Sequence, residues 1–339
     1  MKRLIMKKTL IALTLSSALL FACSGGNNPS GSEEDYAFSW VTPTGAPTLA
    51  FYDQGENENW VSASNPAEIV VPSFAANSYD AIVFDGVSGL NLMTANAKAA
   101  NYKLARWINN LGFYLVSTSH TKEDVASWDA SWTIDAFVKT GNASRCLLNL
   151  AADSWNWGDV TSQTTFETGL DAVVGNIATG GYDFYVVADP AYTNLKIKMG
   201  DKLHLIYDLQ EEWGKAHDGS SIPSAALFVN KTKYAEHKSA YDKFLAETDE
   251  RLANLVDDPQ KAQDGLLTYT TSEPSHCVNG NITKFGISAT IAVRLADYQA
   301  TNTFGFLKKD AVGDVKAVAD KFQAGFSGAS FSADLFLTD

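Results

Sequence analysis

Cysteine is scarce in this chain. Its 339 residues hold three, Cys23, Cys146 and Cys277, and no two form a CxxC pair. Dithiol redox chemistry and ribbon-type zinc sites need closely spaced cysteines, so both are excluded. Cys146 and Cys277 are far apart in sequence and are expected to be buried free thiols. The five histidines, at 120, 204, 217, 237 and 276, make no HxH or HxxxH, and none stands beside a carboxylate pair at ligand spacing. His276–Cys277 is an adjacent soft pair, but two ligands do not make a zinc site. No metal and no cofactor are expected. Positive charge is also short: 26 Lys and Arg face 39 Asp and Glu, a net charge of −13. Nucleic acid and anionic lipid surfaces reward clustered cations, so neither is a natural partner. A bilayer-spanning helix needs about 20 apolar residues, and no run after Ala22 is that long.

What is present begins at the N-terminus. Lys2, Arg3, Lys7 and Lys8 precede an uncharged stretch from Leu10 to Ala22. That is the plan of a signal peptide, here residues 1–22. It ends in "LFAC", which resembles a bacterial lipobox. In that class the cysteine, here Cys23, is lipidated with palmitate-type chains and becomes the first residue of the mature protein. Buried methylenes contribute about 0.8 kcal/mol each, and more than one chain makes the anchor stable. "SGGNNPSGSEED" follows with no apolar residue. Residues 23–35 therefore read as a solvated tether. Without the four leader cations, 22 basic side chains oppose 39 acidic ones, a net charge of −17.

Beyond the tether one pattern recurs four times. "VTPTGAPTLAFY" (41–52), "DAIVFDGVSGLNLM" (80–93), "TIDAFVKTGNASRCLLNLAA" (133–152) and "YDFYVVADPAYTNL" (182–195) each run from strand through a few small or polar residues into a helix-like segment. Short βα turns of this kind belong to α/β sheets. Ser, Thr, Asp and Asn cap helix N-termini, and Pro suits the first turn. The prolines and glycine of 43–47 thus mark a strand turning directly into a helix, its N–H groups expected to be free. Ligands of open α/β sheets sit at the carboxyl ends of strands. The candidate ligand residues are therefore Thr44, Gly45, Ala46, Asp85, Gly86, Ser88, Thr140, Gly141, Asn142, Ala143 and Asp189. Between strands, "NPAEIVVPSFAANS" offers Asn65 as a cap and Pro66 in the first turn, with a kink at Pro72. "FETGLDAVVGNIATGG" ends on glycines. "YDKFLAETDERLANLVDDP" (241–259) spaces Tyr241, Phe244, Leu245, Leu252, Leu255 and Val256 at helical period and stops at Pro259.

These segments, in this order, resemble the substrate-binding lipoproteins of bacterial ABC importers, the nitrate, sulfonate, taurine and thiamine-pyrimidine group. "TPTGAPTLAF" is similar to the first binding loop of that group. "NPAEIVVPSFAANSYDAIVFDGVSGLNLM" is similar to its helix, "YD" strand and second loop. "YKLARWINNLGFYLVS" and "LIYDLQEEWGKAHDGSSIPSAALFVNKTKYAEHKSAYDKFLAE" resemble its two passages through a hinge, and "HCVNGNITKF" a late segment. The resemblance implies an α/β, two-lobed type II periplasmic-binding fold, each lobe a mixed sheet flanked by helices, joined by a two-strand hinge. Lobe one would hold 36–116 and 227–339, and lobe two 117–226, with hinge strands near Phe113–Ser117 and Ala225–Val229. It implies a monomeric, lipid-anchored, extracytoplasmic protein that closes on a small solute and docks with ABC permease subunits. Asn109 and Asn110, ahead of the hinge strand, would reach the cleft, and Trp40 and Trp107 are candidate walls. Asp85 departs from the small neutral residue usual in the group.

Two turns offer a carboxylate, Asp85 and Asp189. Lys139 and Arg145 stand only on the shoulders of the third. This favours a neutral or cationic organic solute over a strong anion. Two rivals use the same fold: a surface receptor without a permease, and an enzyme. "GVSG" at 86–89 superficially resembles a nucleophile elbow, but its second glycine falls one place early. No histidine lies in any of the four turns, so no nucleophile–base pair is present there and catalysis is not expected.

Overall fold

Short β-branched and aromatic runs fold as strands throughout the chain. The computed structural model describes residues 36–338 apart from 67, 111, 140, 272–275, 279–280, 301–304 and 327–328. The expected leader, tether and Cys23 lie outside these residues, as does Thr140. The principal strands are β1 (Trp40–Pro43), β2 (Trp60–Ala63), β3 (Ala81–Asp85), β4 (Tyr102–Trp107), β5 (Phe113–Ser117), β6 (Ile134–Phe137), β7 (Thr164–Glu167), β8 (Phe184–Ala188), β9 (His204–Asp208) and β10 (Ala225–Asn230). Three two-residue strands follow, β11 (Cys277–Val278), β12 (Asn281–Ile282) and β13 (Ile287–Ser288). The helices are α1 (Val70–Ala76), α2 (Gly86–Ala95), α3 (Asn142–Asp153), α4 (Leu170–Thr179), α5 (Ala191–Met199), α6 (Leu209–Ala216), α7 (Lys231–Glu236), α8 (Lys238–Asp257), α9 (Pro259–Thr271), α10 (Ala289–Val293), α11 (Leu295–Ala300), α12 (Lys309–Val312) and α13 (Val315–Ala324). Among the described residues no helix is long and apolar enough to cross a membrane.

Two five-stranded mixed sheets follow one plan. The first is ordered β2-β1-β3-β10-β4, with β1, β2 and β3 parallel and β10 antiparallel to both its neighbours. The second is ordered β7-β6-β8-β5-β9, with β6, β7 and β8 parallel and β5 antiparallel to both of its own. Parallel neighbours need crossover connections. Helix α1 carries the chain from β2 to β3, α3 from β6 to β7, and α4 from β7 to β8. The result is a two-lobed α/β body, as the resemblance implied.

The strands expected to form the hinge are interior strands instead. Every residue of "FYLVS" (β5) and "AALFVN" (β10) is buried. Strands buried on both faces need ladder partners on both edges to satisfy their backbone groups. Each therefore sits wholly in one sheet, β5 with the second and β10 with the first, so the expected boundaries at 116/117 and 226/227 cut through them. The chain crosses just ahead of each, between β4 and β5 and between α6 and β10. There the passages hydrogen-bond side by side: Ile108 N–H to Ala225 O at 2.8 Å, and Ser224 N–H to Asn109 O at 3.0 Å. Residues 305–307 lie along the first passage as a third strand, with Asn110 N–H to Gly305 O at 3.0 Å and Leu307 N–H to Ile108 O at 3.0 Å.

Other local expectations resolve in physical terms. Helix α1 starts at Val70, not at Pro66, so Pro72 falls in its first turn. A missing N–H costs nothing there, and it leaves no intrahelical bond to break into a kink. Asn77 closes α1 in the left-handed conformation. Gly180 closes α4 the same way, at φ 71°, where glycine pays no Cβ penalty. Pro259 both follows α8 and opens α9. Cys146 and Cys277 are free thiols, the first buried and the second half-buried. Trp40 is core, inside a cluster with Phe51, Trp60 and Phe244. Trp107 is also core and donates its indole N–H to Val315 O at 3.0 Å.

The lobes also meet away from the crossings. Trp213 on α6, fully buried, packs on Phe322 of α13 and on Phe326 just beyond it, at centroid distances of 5.1 and 4.9 Å. Arg145 on α3 lies over the Phe326 ring at 4.3 Å and donates to Gln323 Oε1 at 3.2 Å. Asn149 donates to Gly325 O at 3.3 Å. A Cβ on Gly325 would approach the Trp213 ring to 2.7 Å, so the backbone comes close only because that residue is glycine.

Candidate functional site

The four turns do not share one environment. The first folds as expected, strand β1 passing into a short two-turn 3-10 helix at Ala46–Phe51 with proline in its opening positions. Gly45 takes φ 95°, which a side chain resists. Two of its N–H groups are already taken, however. Thr44 N–H donates to Ala63 O at 2.9 Å, and Gly45 N–H donates to Phe285 O at 2.8 Å. Thr48 Oγ1 donates to Gly45 O at 2.6 Å. Thr44 packs on Gly286, and Ala46 is buried. The turn between β12 and β13 thus stoppers this loop. Thr44 does line a cavity of about 810 Å³ at the carboxyl ends of β1 and β2, with Glu56, Ser62, His276 and Lys284. All of its lining belongs to the first lobe.

The second and third turns meet each other, although they come from different lobes. Asp85 caps α2, its Oδ1 accepting Ser88 N–H at 2.8 Å. Asn142 at the start of α3 and Arg145 in its first turn both act electrostatically on the same carboxylate. Desolvation pushes Asp85 up to about 6, against the downward pull of Ser88, Asn142 and Arg145. Burial lowers the Arg145 guanidinium, and Asp85 opposes that shift. Gly86 N–H donates to Ser224 O at 2.9 Å in the return crossing. A Cβ at Gly86 would fall 2.0 Å from the Trp107 ring, so packing alone requires glycine here. Asn142 is 1% exposed and donates from Nδ2 to Pro223 O at 2.6 Å. Gly141 N–H turns back to Val138 O at 2.7 Å, and Ala143 is buried.

Asn109 joins this group through the crossings. It is fully buried, and its Oδ1 accepts Ala225 N–H at 3.1 Å. Ala225 is the register partner of Asp85. Three polar atoms around the meeting point have no partner: Asn109 Nδ2, Asn142 Oδ1 and Arg145 Nη1. Buried polar groups are nearly always paired, so this cluster retains hydrogen-bonding capacity of both senses.

The fourth turn is satisfied within its own lobe. Asp189 is 2% exposed; its Oδ1 accepts Thr193 N–H at 3.2 Å and Thr193 Oγ1–H at 2.7 Å, and its Oδ2 accepts the Tyr114 hydroxyl at 2.9 Å. Burial raises its pKa, and Asp208 adds to the rise. Tyr192 stacks on Tyr114 at 4.1 Å. Asp189 is thus a capping and bracing residue. Its charge reaches Tyr298 of α11 in the first lobe.

No family model matches the sequence, and no curated protein does. Solved structures do match over most of the chain. The ligand-binding component of an ABC-type import system from Staphylococcus aureus, solved with zinc bound, gives a TM-score of 0.61 at 10% identity, covering 88% of this chain and 96% of that one. The alkanesulfonate-binding protein SsuA from Xanthomonas axonopodis pv. citri, bound to MOPS, gives 0.60 at 14% identity, covering 89% and 98%. An ABC transporter structure from Parabacteroides distasonis gives 0.58 at 13% identity, covering 89% and 98%. This chain has the periplasmic-binding-protein fold. The double crossing joins the two sheets, and Gly86, Asn109 and Asn142 hydrogen-bond to its residues 223–225. Among the described residues, no group of three or more His, Cys, Asp or Glu is placed to hold a metal ion.

Sequence reasoning left Arg145 on the shoulder of its turn, and it placed residues 223–225 in the return through the hinge without naming any of them as a ligand candidate. Arg145 lies one helical turn into α3, a position from which a long side chain reaches back to the capping end.

Proposed function

We propose that this chain is an extracytoplasmic solute-binding protein, moored by lipid on Cys23, that delivers a small organic solute to an ABC importer. The observation that carries the reading is the meeting of two strand-end turns from different lobes over the paired crossings, with Asn109 Nδ2, Asn142 Oδ1 and Arg145 Nη1 unpartnered there. A solute bonding to groups of both lobes stabilises the closed arrangement in proportion to its preference for closed over open. Permease subunits would then read the closed shape. The lobes of this reading are 36–110 with 225–339, and 112–224, and the protein acts as a monomer. The neighbours' printed names, an import-system component and an alkanesulfonate-binding protein, support transport as the role. The unpartnered donors and acceptor suit a solute with several hydrogen-bonding groups, and the Asp85 carboxylate favours a neutral or cationic one.

The test is direct. The full-length protein is expressed with its leader, extracted in mild detergent, and stripped of any co-purifying small molecule for mass spectrometry. The identified compound should raise Tm, since a hundredfold excess over Kd adds about 2.7 kcal/mol. The N-terminal peptide should carry the mass of acyl chains on Cys23. A protein that yields no solute and shows no thermal shift across a broad solute library contradicts the reading. Turnover of the bound compound would favour an enzyme instead.

A further inference from the structure

The cavity at the carboxyl ends of β1 and β2 is built from two parts that meet in the first lobe. One is the loop ahead of β2, folded around Asn57. The Asn57 N–H donates to Gln54 O at 3.0 Å, and its own O accepts Trp60 N–H at 3.2 Å. Gly55 ties this loop to α9, its N–H donating to the Tyr269 hydroxyl at 2.9 Å. The approach is close enough that a Cβ on Gly55 would fall 2.5 Å from the Tyr269 ring. The other part is the turn between β12 and β13, which carries Lys284. The Lys284 ammonium donates to Asn57 O at 2.6 Å and lies 5.1 Å from the centre of the Trp60 ring. Glu56 and Glu58, on either side of Asn57, line the same cavity.

These charges are not spent on one another. Among the described residues neither Glu56 nor Glu58 has an ion pair or side-chain hydrogen bond, and Lys284 has no carboxylate partner. An ammonium carries three donors, and Asn57 O takes one. Tyr269 is 8% exposed; its oxygen receives Gly55 N–H, and its own O–H has no acceptor among the described residues. The volume of about 810 Å³ lies within the roughly 300–1,000 Å³ of small-molecule sites. Burial holds the Lys284 ammonium below its ordinary pKa, and Glu58 opposes that shift. A lone anion here meets Glu56 and Glu58, and a lone cation meets Lys284. A molecule of both signs meets complementary charge at each end.

We propose that this cavity is a second binding site, confined to the first lobe, for a small zwitterion whose carboxylate sits on Lys284 and the Tyr269 hydroxyl and whose ammonium sits on Glu56 and Glu58. It shares no residue with the group around Asp85 and Asn142, so it stands or falls apart from the interlobe reading.

The full-length protein in mild detergent is dialysed and titrated calorimetrically with alanine, β-alanine and γ-aminobutyrate, with propionate and propylamine as singly charged controls. At least one zwitterion should bind, and the controls at least tenfold more weakly, a step of about 1.4 kcal/mol. The pair Glu56→Gln with Glu58→Gln, and separately Lys284→Met, should each cost tenfold or more in affinity. The glutamines replace exposed side chains that hold nothing else, and methionine keeps an apolar stem over Trp60; urea midpoints check that each variant is folded. Glu123→Gln, at an exposed carboxylate of the second lobe, should change nothing. The proposal is overturned if none of the three zwitterions binds, if a control binds as tightly, or if the folded glutamine pair keeps wild-type affinity. Should Lys284→Met not fold, the glutamine pair decides alone.

Discussion

Truncating Trp213 to alanine tests whether the lobes are held by the seam between α6 and α13. The side chain is fully buried and packs on Phe322, Phe326 and His217. A buried tryptophan covers about 150–250 Å², which at roughly 25 cal/mol per Å² contributes about 4–6 kcal/mol. Its indole N–H has no hydrogen-bond partner, a defect that costs about 1–3 kcal/mol and disappears with the side chain. The expected net loss is therefore about 1–5 kcal/mol, read as a lower urea midpoint. Because the lost contacts join two lobes, the shape should change as well. X-ray scattering in solution should show a larger radius of gyration for Trp213→Ala than for Phe184→Ala, a truncation buried within the second lobe alone. If Trp213→Ala loses this stability while its scattering curve stays superimposable on that of wild type and of Phe184→Ala, the seam does not hold the lobes together.

Other consequences are open to measurement. The Asp85 carboxyl is raised from 3.8 to about 6, so the folded state binds an extra proton between those values; stability from this group is present at low pH and lost as pH rises through about 6. Asp85→Asn should therefore stabilise by at most about 3 kcal/mol at pH 7.5 and by little at pH 4, in urea curves at both. Asp80 has the opposite sign: burial raises it, but Ser39, Tyr36 and Lys233 together hold it below its ordinary value. Its contribution is present above that ordinary value and lost as pH falls through the lowered one. Asp80→Ala should cost roughly 3–5 kcal/mol at neutral pH, with Lys233 left beside the vacated site. Gly86→Ala should destabilise by about 1–3 kcal/mol through overpacking on Trp107. An unchanged melting temperature would contradict that packing role.

The punctuation of the fold is legible in the residues because it is local. Asp85, Asp208, Asn230, Ser288 and Asp314 all accept backbone N–H groups at helix starts, as their side chains predispose them to. Strand–turn–helix order follows from apolar runs broken by such residues. What stays hidden is decided over long sequence separations. Phe285 lies 240 residues beyond Gly45, and no property of "PTGAP" announces that a distant carbonyl will take its N–H. Likewise "FYLVS" reads as a strand, but its sheet depends on which partners cover both of its edges. Gly86 looks like a ligand-facing glycine until Trp107 is seen pressing on it. Of the candidate residues, the structure gathers Asp85, Gly86, Asn109 and Asn142 at the crossings and leaves Thr44, Gly45, Ala46 and Asp189 engaged elsewhere.

Both five-stranded sheets are complete once Asn230 has been synthesised, whereas the seam must wait for Phe322 and Phe326. A chain synthesised only as far as Asn230 therefore holds two finished sheets with the Trp213 face still bare. Helix α13 works as a late staple, and a nascent chain interrupted before Val315 would carry every principal strand yet leave its halves unfastened at that edge.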